Sequence, residues 1–157
     1  MFKNILIVGL GNIGKRHLES VIKNKDVNKI FLFDKSKKVI QNFKKGNLYL
    51  NSNNIIILNK INQSLVENIF LCIVATSANR RYKLLKGLAK SFKIKYWLIE
   101  KIFLNDLNHL NLFKETTNSK NMYVNLPLRM SSPFKLIQKK LKRKKFDCRI
   151  EGGNWNM

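Results

Sequence analysis

Short apolar runs alternate with stretches whose apolar residues recur at helical spacing, from the first residues of the chain onward. "NILIVG" (4–9) predicts a buried strand, and residues 13–24 predict a helix with Leu18, Val21 and Ile22 on one face. "KIFLFD" (29–34) predicts a second strand, followed by a short helix over 36–45 with Val39, Ile40 and Phe43 inward. "NIIIL" (54–58) predicts a third strand, "NQSLVEN" (62–68) a turn or short helix, and "IFLCIVAT" (69–76) the strongest strand of all. A helix over 79–92 would bury Leu85, Leu88, Ala89 and Phe92, "YWLIE" (96–100) reads as a fifth strand, and 105–116 as a helix with Leu107, Leu110 and Phe113 on its apolar side. This rhythm predicts an α/β fold, a doubly wound parallel sheet with both faces covered.

After Lys120 the pattern restarts. "MYVNL" (122–126) predicts a strand, 133–142 a helix with Phe134, Ile137 and Leu141 aligned, and "FDCRIE" (146–151) another strand before "GGNWNM". The expected organisation is therefore one domain over 1–121, then over 122–157 the opening strand, helix and strand of an incomplete α/β domain. A length of 157 residues suits one domain with a real core plus such a remnant. Strands with no sheet to complete favour self-association, so homo-oligomers through the second domain are left open.

Charge changes this picture less than its size suggests. Lys and Arg total 31 against nine acids, a formal net charge of +22, which ordinarily points to nucleic acid or an anionic surface. Lysine supplies 25 of those bases, asparagine occurs 21 times and alanine three times, the usage of an AT-rich coding sequence. The lysines are spread over most polar segments, which favours a solvated basic surface over a groove. Cys72 lies inside an apolar run, and with Cys148 offers neither metal spacing nor a disulfide framework. "MFKNILIVG" is too short and too soon interrupted for a signal peptide, and no apolar run approaches a membrane span, so a soluble cytoplasmic protein with no membrane partner is expected.

The chemistry begins at "VGLGNIGKRH". Gly9, Gly11 and Gly14 have the spacing G-x-G-x-x-G between a predicted strand and a predicted helix, with Asn12 and Ile13 between the last two. Gly9 permits a tight turn, Gly11 lets backbone approach a pyrophosphate, and Gly14 lets helix and strand pack closely, with helix amides facing the phosphates. The acid that holds the adenosine ribose is expected about 20 residues further on. Asp34 closes the second strand twenty positions after Gly14. A carboxylate there accepts from the ribose hydroxyls and repels a 2′-phosphate, so NAD is favoured. Lys35, Ser36, Lys37 and Lys38 soften that repulsion and leave NADP open.

Four segments together resemble the Gfo/Idh/MocA family, the glucose-fructose oxidoreductase and inositol dehydrogenase group. They are "VGLGNIGKRH", "CIVATSANRRYKLLKGLAK", "WLIEKI" and "YVNLPLRM". The first is similar to the family's nucleotide loop, the second to its fourth strand and the loop beneath the nicotinamide ribose. The third is similar to its Glu-Lys-Pro turn, the fourth to the strand opening its second domain. The resemblance implies that Ala75, Thr76, Ser77 and Asn79 line the nicotinamide side and that Glu100 lies near the nicotinamide ribose. It also implies that Lys101 reaches the substrate oxygen as the catalytic cation, and that Arg129 is structural or touches the substrate. Lys35 joins the cofactor contacts. Two departures stand out: Ile102 replaces the proline after Glu-Lys, and Arg81 stands near where many members have histidine. The family's H-x-x-D histidine comes from the second domain, after the strand that "FDCRIE" resembles, and is not found before Met157.

Other residues read as bland. His17 is expected to pack on the phosphate-loop helix, and His109 has no acid placed to orient it. "KKLKRKK" (139–145) follows an apolar helical stripe without interleaved aromatics, so a solvated helix end outweighs nucleic-acid binding. Trp97 and Phe92 are expected in the core, and Trp155 at an exposed or partner-covered end. Paired glycosidase acids, zinc spacing and a Ser-His-Asp set are absent, which argues against hydrolytic and metal chemistry. The sequence thus predicts an NAD(P)-dependent oxidoreductase of sugars or nucleotide sugars that retains its nucleotide grip and lacks its catalytic histidine. A non-catalytic NAD-binding module and a basic nucleic-acid binder are the alternatives.

Overall fold

A computed structural model describes residues 3–45, 54–61, 68–79, 81–104, 106, 109, 121–126, 131, 132, 135, 136 and 139. Arg129, Trp155 and the predicted strand over 146–151 lie outside them, as do most of the predicted helices over 105–116 and 133–142 and of the segment 62–68. The chain divides into two compact units, Met1–Asn125 and Leu126–Met157.

The first unit is built from β1 (Lys3–Val8), α1 (Asn12–Val21), β2 (Val27–Phe33), α2 (Lys37–Lys45), β3 (Ile55–Ile57), β4 (Asn68–Val74), α3 (Arg81–Ser91), β5 (Lys93–Glu100) and β6 (Met122–Asn125). Six strands form one sheet in the order β3-β2-β1-β4-β5-β6, with every neighbouring pair parallel. This is the doubly wound arrangement expected from the alternation of apolar runs and helices. β1 and β2 are apolar without alternation over their last four residues because helices cover both faces there.

The two faces carry separate cores. Leu18 of α1 and Phe43 of α2 pack with Ile5, Ile7, Ile30, Leu32 and Ile73 on one side, joined by Val21, Ile22, Val39 and Ile40. Leu85 and Leu88 of α3 pack with Leu6, Val8, Cys72, Val74, Trp97 and Ile99 on the other. Cys72 is fully buried, and burial pushes its thiol far above the ordinary range, so it behaves as a small apolar residue. Helix α1 ends at Val21, short of the expected 24, where Asn24 N–H donates to the Val21 carbonyl and turns the chain toward β2. Helix α3 begins at Arg81, two residues later than expected.

One element sits in a different place from its sequence assignment. The pattern at 122–126 reads as the opening of the second domain, yet Trp97, Leu98, Ile99 and Glu100 pair in parallel with Met122, Tyr123, Val124 and Asn125. Strand β6 completes the first sheet, because backbone amides at a sheet edge find partners more readily than a four-residue strand can form a sheet of its own. In the second unit, residues 132, 135, 136 and 139 are helical, and Lys135 N–H donates to the Ser131 carbonyl. No helix among the described residues is long and apolar enough to cross a membrane.

Candidate functional site

The order of the strands puts β1 beside β4, and the chain leaves these two neighbours for opposite faces of the sheet. Such a parting opens a crevice at the carboxyl ends of the strands, where open α/β sheets bind ligands. Three strand ends converge there. Gly9 N–H donates to the Phe33 carbonyl at 2.8 Å, and Ala75 N–H donates to the Val8 carbonyl at 2.7 Å.

The glycines at this junction have distinct tasks. Gly9 has φ +94°, and a Cβ there would stand 2.8 Å from the Ala75 carbonyl oxygen. A Cβ on Gly14 would stand 1.9 Å from the Gly9 carbonyl oxygen, so only glycine lets α1 approach β1 so closely. Gly11 differs from both: its backbone is extended, and a Cβ would meet nothing within 4 Å. It is also the N-cap of α1, makes no side-chain cap bond, and no acid occupies the helix's first turn. The helix amides therefore present their positive end without a side-chain acceptor, an environment suited to an anion.

Asp34 follows β2. Its Oδ2 accepts from Leu10 N–H at 2.9 Å and its Oδ1 from Ser36 N–H at 2.8 Å. The carboxylate is thus fixed by backbone on both sides, and each oxygen keeps acceptor capacity for a vicinal diol. A cleft of about 490 Å³ runs past Gly9, Gly11, Asp34, Lys35, Ala75, Thr76, Ser77 and Asn79. Val39 and Leu84 add apolar wall, and Lys83 adds a cation. Thr76 Oγ1 is buried and has no hydrogen-bond partner among the described residues. An orphan hydroxyl, an open cradle at Gly11 and a fixed carboxylate fit a dinucleotide bearing phosphate and ribose hydroxyl groups.

A second cluster lies at the end of β5. Glu100 Oε1 is 2.9 Å from His17 Nε2 and accepts from Asn125 Nδ2 at 2.5 Å. Because an ionised carboxylate can only accept, Nε2 carries the hydrogen. Burial alone would raise the Glu100 pKa, but the Asn125 and His17 contacts and the Lys101 backbone amide outweigh it and hold the carboxyl below the ordinary range. The Lys101–Ile102 peptide is cis, and both side chains face solvent.

Arg81 joins the two clusters. Its side chain is 1 % exposed, and its guanidinium donates to the carbonyls of Thr76, Glu100, Ile102 and Phe103. Burial lowers its pKa and the nearby charge of Glu100 opposes that shift, so a buried cation is held by a cage of carbonyl oxygens. The loop after β4 and the turn carrying Lys101 are thereby tied through one side chain.

The cleft gathers Gly9, Gly11, Asp34, Lys35, Ala75, Thr76, Ser77 and Asn79 from the residues singled out in the sequence. Asn12 and Ile13 open α1 and are exposed, Gly14 lies behind the loop, and Glu100 and Lys101 belong to the second cluster. His17, three residues after Gly14 on α1, has a structural contact with Glu100, in keeping with a packing role on the phosphate-loop helix. His109 does have an acid, Asp106 Oδ2 at 3.5 Å, and stacks on Tyr82 with ring centres 4.4 Å apart. Among the described residues no group of three or more His, Cys, Asp or Glu could hold a metal.

No family model and no curated protein sequence matches the chain. Solved structures do. The apo scyllo-inositol dehydrogenase of Lactobacillus casei matches with TM-score 0.68 and 13% identity, over 90% of this chain and 42% of its own. The same enzyme with bound NAD(H) and scyllo-inositol matches with TM-score 0.66 and 14% identity, over 91% and 42%. The myo-inositol 2-dehydrogenase of Lactobacillus plantarum matches with TM-score 0.67 and 14% identity, over 90% and 41%. The chain spans about two-fifths of the length of these enzymes and shares the Rossmann-type fold of that part.

Two outcomes follow from the Arg81 and Glu100 contacts. Arg81→Ala strands several buried carbonyls and is expected to lower stability by roughly 3 kcal/mol or more in urea unfolding, whereas a loss under about 1 kcal/mol would contradict the clamp. Glu100 has a depressed folded pKa, so its contribution is present above the ordinary carboxylate range and is lost as pH falls through the lowered folded value. Between neutral pH and pH 3, about the foot of the carboxylate range, wild type should lose stability more steeply than Glu100→Gln, and equal slopes would contradict the assignment.

Proposed function

We propose that the cleft at the ends of β1, β2 and β4 binds NAD(H), and that the chain serves an oxidoreductase acting on a sugar or nucleotide sugar. The carrying observation is the contrast at the phosphate loop. Gly9 and Gly14 are locked against backbone, while Gly11 opens onto free space beside a helix terminus without an acid. Asp34, already oriented by two backbone amides, supplies the acceptor for the adenosine ribose. In this reading Ala75, Thr76, Ser77 and Asn79 form the opposite wall, and the orphan Thr76 hydroxyl donates to the bound dinucleotide.

NAD, when bound, supplies the hydride acceptor. Lys101 extends into solvent from the turn held by Arg81, where its ammonium can hydrogen-bond a substrate hydroxyl or carbonyl oxygen and stabilise charge developing on it. The inositol dehydrogenase matches support the sugar class, since one of them holds NAD(H) together with scyllo-inositol.

Gly11→Val separates binding from folding, because its Cβ meets nothing within 4 Å of the protein. The variant should keep the wild-type circular dichroism and melting temperature while NADH affinity, read by nucleotide fluorescence, falls by about a hundredfold or more. Unchanged affinity in a folded variant would overturn the assignment of the loop.

A further inference from the structure

We propose that the amino ends of the strands, opposite the glycine-loop cleft, form a binding surface for single-stranded nucleic acid. The lysines of this chain are scattered along the sequence, but the strand order gathers some of them. Strands β2, β1, β4 and β5 lie side by side, so Asn28 and Lys29 come beside Lys3 and Asn4, followed by Asn68 and Phe70, then by Lys93, Lys95 and Tyr96. The sheet thus assembles a basic edge that no single segment contains.

Two of these lysines converge on one ring. Lys3 Nζ lies 5.2 Å from the centre of the Phe70 ring and Lys95 Nζ lies 5.5 Å from the same centre, while Lys95 Nζ is also 5.2 Å from the centre of the Tyr96 ring. Phe70 and Tyr96 are themselves in edge contact, with ring centres 5.2 Å apart and planes at 62°. Two ammonium groups drawn to one aromatic pair repel each other, and an anion placed between them relieves that repulsion. Asp26 is the only acid among the described residues at these strand ends, and it pairs with Lys3 at 3.1 Å. Lys25, Lys29, Lys93 and Lys95 are exposed and have no ion-pair partner among the described residues.

The groups between the cations suit unpaired bases. Asn28 Nδ2 donates to Asn4 Oδ1 and Asn4 Nδ2 donates to the Asn68 carbonyl, each at 3.3 Å, so a row of amides crosses three strands. Each Nδ2 has a second hydrogen to offer, and an asparagine side chain presents donor and acceptor together, as a base edge does. Lysines that track phosphates beside half-buried rings that take base stacking are the combination that holds single strands, whose bases are free to leave one another. A membrane fits less well. In the first unit the exposed large apolar residues are Ile13, Ile102, Tyr123 and Val124, and none of them lies at these strand ends to enter a bilayer.

The test is fluorescence anisotropy of a labelled oligouridylate of about twelve nucleotides, titrated with the chain at several salt concentrations. Wild type should bind saturably, with a dissociation constant of about 10 μM or tighter at low salt, and excess NADH should not release the strand. Lys3→Gln/Lys95→Gln, folded by circular dichroism, should bind about tenfold more weakly and flatten the slope of log affinity against log salt by about 1. Lys38→Gln/Lys86→Gln removes the same charge from α2 and α3 and should cost less than about twofold. Tyr96→Leu should cost about fivefold or more with the salt slope unchanged. Absent or non-saturating binding, release by NADH, an equal loss in the Lys38→Gln/Lys86→Gln control, or a folded Tyr96→Leu that binds like wild type would overturn the surface. So would equal affinity for a duplex of the same length, for polyglutamate or for phosphatidylserine vesicles.

Discussion

Everything at the site depends on how closely three pieces of backbone approach at Gly9. The turn after β1 must pass the Ala75 carbonyl on one side and the first turn of α1 on the other, with no room for a Cβ on either glycine. That approach fixes where α1 begins, and so where its unpaired amides lie. It also brings Leu10 N–H to Asp34, which links the loop to the end of β2. The cleft is therefore a consequence of packing: once β1, β2 and β4 are buried side by side, their ends leave a gap whose tightest approaches, at Gly9 and Gly14, only glycine allows.

Arg81 extends the same rigidity to the far end of the site. A fully buried guanidinium bonded to four carbonyls ties the loop after β4 to the turn after β5, so the wall of the cleft and the backbone around Lys101 share one anchor. The arginine side chain offers five donors and a permanent charge, enough to reach both segments. Glu100 is held from a third direction by His17 and Asn125, which draws α1 and β6 into the same structure.

The fold is legible in the sequence because its strands are buried on both faces. Continuous apolar runs as short as "ILIV" and "IFLCIVA", bounded by polar residues and glycine, suit a strand covered on both sides, and the glycine spacing and Asp34 can be placed on them directly. Contacts that cross between elements leave no such trace. Arg81 reaches acceptors 19 to 22 residues later and His17 an acceptor 83 residues later, distances that become neighbours only after the strand order is known. Strand β6 is legible as a strand, but its place is not: Tyr123 and Val124 are exposed, and its membership of the sheet follows from pairing with β5. A buried arginine also runs against the general rule that such residues stay at the surface, so composition could not announce it.

The net charge of +22 does not by itself place a ligand, whereas the carboxyl ends of the strands hold a glycine loop, a fixed carboxylate and a walled cleft. The most direct test is the amide NMR spectrum of the chain recorded as NAD is added. Saturable shifts should concentrate at Gly9, Gly11, Asp34, Thr76 and Ser77, with the amides of residues 27–29 at the opposite end of β2 unmoved. Shifts that fail to saturate, or that spread over the surface lysines and spare the glycine loop, would contradict nucleotide binding at this cleft.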